Sequence, residues 1–224
     1  MIQPERFGTT ETASVLARLQ ESFHLEVDRK GRGFIILDPM GLELGRVVVP
    51  LLQALPSGCQ SVADYCESLE EGPGLHLVVL IQAGASSLGL WRDDVCLRHK
   101  VIKKYVTRGK GKAQTTYLKT KGKSRYGARL RLQNAREHLE LTNEKLIEWW
   151  QEFGPARRVF YSCPVRMWPE LFKASPPPPF PKDYAIHKIP IDVRVPGHEE
   201  LLRVRRRLQF GSVECATITL DSLD

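Results

Sequence analysis

Three consecutive strand-like runs, followed by alternating helix and strand signals, predict an α/β (α+β) protein built on an RNase H-like mixed sheet with helices on its faces. The first observation is LHLVVLI (75–81), an unbroken apolar run of the kind buried on both faces of a sheet. The second is a pair of turn signals, at residues 84–87 and at Arg92-Asp93-Asp94. They divide the next residues into SLGLW (87–91) and VCLRHKVIKKYVT (95–107), closing an antiparallel three-strand meander. The third is the three-or-four spacing of Ala128, Leu132, Ala135, Leu139, Leu146, Trp150 and Phe153. That spacing is the buried stripe of a long helix, N-capped by Ser124 and ended by Gly154-Pro155.

Residues 1–72 read as a small N-terminal α+β extension. ETASVLARLQESF (11–23) carries Val15, Leu16, Leu19 and Phe23 at helical spacing. LEV and GFIIL flank a turn at 28–33, RVVVPLLQAL is an apolar run in which Pro50 ends a strand or begins a helix, and QSVADYCESL (60–69) is a short helix before Gly72-Pro73-Gly74. Residues 73–224 form the second domain. After the long helix, RRVFYSC (157–163) is its fourth strand, 164–173 a short helix and 175–181 a stiff proline-rich connector. YAIHKIPIDV (184–193) is a fifth strand, HEELLRVRRRL a last helix opened by Pro196, and VECATITL (213–220) a terminal strand.

Composition narrows the chemistry. The 224 residues are 42% hydrophobic and 26% charged, as in an ordinary globular protein. No run approaches eighteen apolar residues, and the start, Met1 to Arg6, lacks the basic-then-apolar pattern of a signal peptide. A cytoplasmic protein, monomeric and without a membrane span, is expected. The five cysteines (59, 66, 96, 163 and 215) are odd in number with no C-x-x-C spacing, which argues against a disulfide framework and a zinc site.

The net charge of +7 is unevenly spread. Between Arg98 and Arg131 lie thirteen Lys or Arg and no acid, whereas the remaining chain has twenty basic and twenty-six acidic residues. A mildly acidic body thus carries one intensely cationic segment, and such a segment seeks a polyanion, most commonly nucleic acid. The competing reading is a solvated basic loop. The arginine-rich last helix (Arg203, Arg205, Arg206, Arg207) reads as a solvated face, with a second nucleic-acid contact as the alternative.

Two-metal nuclease chemistry needs clustered carboxylates on strands. Only Asp93 and Asp94, in a turn, and a solitary Asp192 are offered, so no metal is expected. There is no G-x-S-x-G elbow, and Gly109-x-Gly111-Lys112 lacks the spacing and the Ser/Thr of a phosphate-binding loop. No cofactor is expected either. His99, in a basic strand, reads as a packing or RNA-facing residue. What remains is TRGKGKAQTTYLKTKGKSRYGARLRLQ (107–133). Gly109, Gly111 and Gly122 give it backbone freedom, and a mobile basic loop is expected at 108–124. Gln114 sits near its tip. Its amide does not titrate near neutral pH, but it can accept from a water, donate to a developing oxyanion and expose its own N–H.

The stretch HKVIKKYVTRGKGKAQTTYLKTKGKSRYGARLRLQNAREHLE (99–140) resembles the central segment of the release-factor-like (VLRF) domain family. That family is related to the catalytic middle domain of eukaryotic and archaeal class-1 peptide-release factors and to the peptidyl-tRNA hydrolases of ribosome quality control. The matching positions are His99-Lys100, Tyr105, Thr107, Arg108, Gln114, Ser124, Gly127, Arg131 and Asn134. The hairpin IQAGASSLGLW and the later VFYSCPVRMWPELF and IPIDVRVPGHEELLRV extend the likeness to about residues 75–210.

The resemblance implies the release-factor middle-domain fold and a loop that enters the peptidyl-transferase centre of the large ribosomal subunit. Gln114 would act there on the 3′ end of a peptidyl-tRNA, without a metal. Arg108, Lys110, Lys112, Lys119, Lys121, Lys123 and Arg125 would contact rRNA and tRNA phosphates, with Arg129 and Arg131 extending that surface along the helix. The chain has Gly-Lys-Gly-Lys-Ala-Gln where release factors have Gly-Gly-Gln. Ester hydrolysis, cleavage of the tRNA and binding alone therefore all stay open. A non-catalytic ribosome- or RNA-binding protein on the same fold is the competing reading, and a Mg²⁺-dependent RNA endonuclease a third.

Overall fold

The computed structural model describes residues 4–29, 31–106 and 123–215, with the backbone alone at 123–128. The chain divides into two compact units, one of residues 1–73 with 205–224 and the other of residues 74–204. Mixed α+β architecture holds throughout, with two five-stranded sheets and five α-helices among the described residues.

The first unit is antiparallel. β1 (Glu5–Gly8), α1 (Thr12–Ser22), β2 (His24–Val27), β3 (Gly33–Leu37), β4 (Glu43–Val48) and α2 (Val62–Ser68) are joined by the C-terminal β10 (Phe210–Cys215). The sheet order is β1-β10-β4-β3-β2. The sequence reading assigned the terminal strand, expected at 213–220, to the second domain. Instead β10 lies between β1 and β4, with Val213 opposite both Glu5 and Val47. Val15, Leu16 and Leu19 of α1, the residues of the helical stripe, pack with Phe34, Ile36 and Val47. Tyr65 of α2 adds a tilted ring contact to Phe34 at 5.7 Å and donates its hydroxyl to the Gln53 carbonyl.

The second unit holds β5 (Leu75–Gln82), β6 (Ala85–Arg92), β7 (Val95–Lys103), α3 (Lys123–Phe153), β8 (Arg158–Ser162), α4 (Trp168–Lys173), β9 (Ile186–Lys188) and the start of α5 (His198–Arg207). Its sheet order is β7-β6-β5-β8-β9. β5, β6 and β7 form the antiparallel meander, and β8 and β9 add in parallel, as the fold class requires. Consecutive strand residues face opposite sides. Ser86 bonds to His138 of α3, whereas Ser87 donates to the Gly197 carbonyl at the entry to α5. The sheet is thus covered on both faces, which explains why β5 is apolar at nearly every position.

Several elements differ from expectation. α3 begins at Lys123, so Ser124 lies within its first turn rather than capping it. Its buried face is His138, Leu139, Thr142, Asn143, Leu146 and Trp149, while Leu132 is 74% exposed. The reason is length. Thirty-one helical residues span about 46 Å, but the longest strand, nine residues, covers about 30 Å, so the first turns of α3 run past the sheet. Gly154, at φ +86°, returns its N–H to the Trp150 carbonyl and ends the helix. β7 stops at Lys103 because its partner β6 begins at Ala85, directly opposite. β9 has three residues, with Pro190, which lacks an N–H, two positions beyond it.

The proline-rich connector is folded inward. Phe180 is buried against Trp150, Phe172 and Tyr184, and Asn143 donates to the Leu171 and Pro176 carbonyls. Trp149→Ala is expected to cost about 3–5 kcal/mol in denaturant unfolding, the range for a buried large-to-small change. Leu132→Ala should stay within about 0.5 kcal/mol, as for exposed sites. Equal effects would contradict the burial described.

Candidate functional site

The segment 107–122 joins β7 to α3. Arg108, Gly109, Lys110, Gly111, Lys112, Gln114, Lys119, Lys121 and Gly122 lie outside the described residues, as do the side chains of Lys123 and Arg125, whose backbone is in α3. Arg129 is exposed and Arg131 half-buried on the described part of the helix.

The chain on either side of the segment is held by specific bonds. Lys104 N–H donates to the Gly84 carbonyl at 2.8 Å, carrying the strand pairing one residue past β7. Asn134 Nδ2 donates to the Tyr105 carbonyl at 2.7 Å, bridging 29 residues of sequence. Lys104 Nζ lies 3.1 Å from Glu137 Oε2, and Gln133 Nε2 donates to Glu137 Oε1 at 2.8 Å. These bonds hold the Glu137 carboxyl below its ordinary pKa, the Gln133 bond contributing most and Lys104 next. Gly84 has φ +77°, and a Cβ there would lie 2.4 Å from the Lys104 carbonyl oxygen, so no other residue fits without a shift.

The cations that the charge reading grouped together separate here. Arg98 is turned onto α3, with Nη2 2.5 Å from Glu152 Oε1 and its guanidinium 4.9 Å above the Phe153 ring. Lys104 is paired with Glu137. Lys100 and Lys103 of β7, and Arg129 and Arg136 of α3, are exposed. A cleft of about 760 Å³ adjoins the same place, bounded by Gly84, Val106, Leu132, Arg136, Met167 and Lys173. The last helix is less available than its arginines suggest. Arg203 makes a bidentate pair with Glu200, and Arg205 is buried.

Other sequence candidates fall away from any shared site. Asp93 and Asp94 occupy the exposed β6–β7 turn, where Asp93 Oδ1 accepts from Gly74 N–H. Asp192 is also exposed. His99 makes a tilted ring contact with His198, with centroids 4.2 Å apart. None of the five cysteines, all among the described residues, is in a disulfide, and burial pushes Cys163 up to about 12, far from a thiolate nucleophile.

Sequence reading missed a buried polar cluster. His138 Nε2 lies 2.6 Å from Ser86 Oγ, which also contacts Thr142 Oγ1 at 3.0 Å. The spacing matches a nucleophile–base pair, but all three residues have zero exposure, so substrate cannot reach the serine. His138 Nδ1 has no hydrogen-bond partner among the described residues, so the ring has no carboxylate to orient it.

Burial lowers the His138 pKa from 6.5 to about 4. Above pH 6.5 the ring is neutral in the folded and unfolded chain alike. As pH falls from 6.5 to 4 the unfolded chain takes up a proton that the folded one refuses. Stability therefore drops through that window and levels off below it, by about 3 kcal/mol in total. His138→Gln should remove this component: the wild-type-minus-variant difference in unfolding free energy should shift by that amount between pH 7 and pH 4. A pH-independent difference would refute the coupling.

The fold defined by these elements is that of the release-factor-like class. A family model described as Bacteroidetes VLRF1 release factor matches residues 76–215, more than half of the chain, and the protein belongs to that family. Among solved structures, the Vms1 mitochondrial localization core matches with a TM-score of 0.50 at 11% identity, over 90% of this chain and 81% of that one. Coverage of that extent carries the likeness in fold beyond residues 76–215 into the N-terminal unit. No curated protein sequence gives a significant match.

Proposed function

We propose that the protein is a ribosome-associated rescue factor that frees the nascent chain from peptidyl-tRNA on stalled large-subunit complexes. The observation that carries this reading is family membership across the unit whose β7–α3 connection contains Gln114. In this reading Gln114 positions the attacking water or stabilises the developing charge by donation from its amide and backbone N–H. Arg108, Lys110, Lys112, Lys119, Lys121, Lys123 and Arg125 contact rRNA and tRNA phosphates, and Arg129 and Arg131 continue that surface. The exposure of Lys100, Lys103 and Arg129 beside the ends of the segment supports a polyanion approaching from this side. The chemistry asked of these residues is positioning and electrostatic stabilisation, which needs no protein-bound metal. In this reading the second unit carries the release function in the cytoplasm.

A second reading, binding without catalysis, is favoured by one feature: Lys112-Ala113 stand before Gln114 where release factors have two glycines. The deciding experiment incubates the purified protein with stalled large-subunit complexes carrying labelled peptidyl-tRNA. Ester hydrolysis leaves a tRNA with an intact 3′-terminal hydroxyl, whereas cleavage within the tRNA yields a shortened 3′ end. Peptide release no faster than in buffer would sink the catalytic reading and leave binding.

A further inference from the structure

We infer that Asn134 is a positioning residue for the release reaction, holding residues 104–106 against α3 and so setting where the glutamine-bearing segment departs from the domain; this rests on the release reading above. Three independent contacts converge on those residues. Asn134 Nδ2 donates to the Tyr105 carbonyl at 2.7 Å, Lys104 N–H is held by the Gly84 carbonyl at 2.8 Å, and the Lys104 ammonium meets Glu137 at 3.1 Å.

Asn134 and Glu137 lie three residues apart and are neighbours on the helix surface. One stretch of α3 therefore grips the backbone of residue 105 and the side chain of residue 104. Gly84 supplies the opposite jaw, where its positive φ and the 2.4 Å approach of the Lys104 oxygen to an added Cβ leave room only for glycine.

The contacts are not needed to build the core. Tyr105 is 58% exposed, Asn134 is half-buried, and the buried face of α3 starts at His138. A half-buried, solvent-accessible ion pair such as Lys104–Glu137 contributes little stability by itself. Its value, with that of the amide bond, is geometric. A displacement of about 1 Å in a group that positions a reacting water can slow a reaction on the order of 100-fold.

The test uses the full-length protein with Asn134→Ala, with Asn134→Asp (same size, but a carboxylate that cannot donate to a carbonyl) and with Gly84→Ala. Hydrogen–deuterium exchange reports on the Lys104 amide, and single-turnover release is measured across protein concentration. Each variant is expected to speed exchange at Lys104 by up to about tenfold, leaving the β5 and β6 amides away from the Gly84 turn unchanged. Each should lower the saturating release rate by at least about tenfold with no change in half-saturating concentration.

Unchanged exchange in Asn134→Ala would show that the residue does not hold this backbone, and would overturn the inference. Faster exchange with a normal release rate would overturn it too, provided that Gln114→Ala is inactive in the same assay. If Gln114→Ala releases peptide normally, the release reading fails on its own account, and the exchange data still decide whether Asn134 acts as the clamp.

Discussion

Replacing Gln114 with alanine is expected to slow single-turnover peptide release from stalled large-subunit complexes by about 100- to 1,000-fold, the usual cost of removing one donor from an oxyanion-stabilising site. Binding to the same complexes should change by less than about twofold, because one neutral amide contributes little beside a field of cations. The substitution separates two roles that the sequence places only a few residues apart. Gln114→Glu is an informative companion. It keeps the size and an acceptor for water but loses the donor and adds a negative charge, so it should be at least as slow as alanine if donation to developing charge is the main contribution. Activity retained in Gln114→Glu but lost in Gln114→Ala would instead assign the side chain to water positioning. Equal release by wild type and Gln114→Ala would leave binding as the function.

Reversing Lys110, Lys112, Lys119 and Lys121 together to glutamate should have the second-largest effect. Each phosphate contact contributes about 0.7–0.9 to the slope of log affinity against log salt. Losing four should flatten that slope by roughly three and weaken binding at least about 100-fold near physiological salt. The paired cations form the control. Arg98 is engaged by Glu152 and Phe153, so Arg98→Gln should change affinity by less than about twofold and leave the salt slope unchanged. If Arg98→Gln weakens binding as much as a lysine of the segment does, the division of cations drawn from their pairing is wrong.

Much of the second unit was legible in the sequence because its signals are local. An apolar run such as 75–81 needs cover on both faces, turn residues at 92–94 reverse the chain, and a glycine followed by proline ends a helix. The pairings of β5, β6 and β7 followed from these, and so did the presence of α3 and of the short α4. The motif positions 99–134 similarly pointed to the family whose model spans 76–215. Non-local facts were hidden. Leu132 sits on the same helical stripe as Leu139, yet one is exposed and the other buried, because the sheet is shorter than the helix it supports. Charge counting treated Arg98 and Lys103 alike, although α3 provides a carboxylate for Arg98 alone of the two. Ser86 and His138 are 52 residues apart, and nothing in either neighbourhood announces their bond.

The sequence by itself determined the fold class, the family, the concentration of cations between β7 and α3, and Gln114 as the residue to test. These follow from composition, periodicity and a motif, all read along the chain. Only the tertiary structure decided that β10 belongs to the N-terminal sheet, which cations are already neutralised, and that Asn134, Glu137 and Gly84 grip residues 104 and 105. Those outcomes depend on hydrogen bonds and ion pairs between residues tens of positions apart. Their energies are set by where packing brings the groups, and packing is decided by the whole sheet and its helices together.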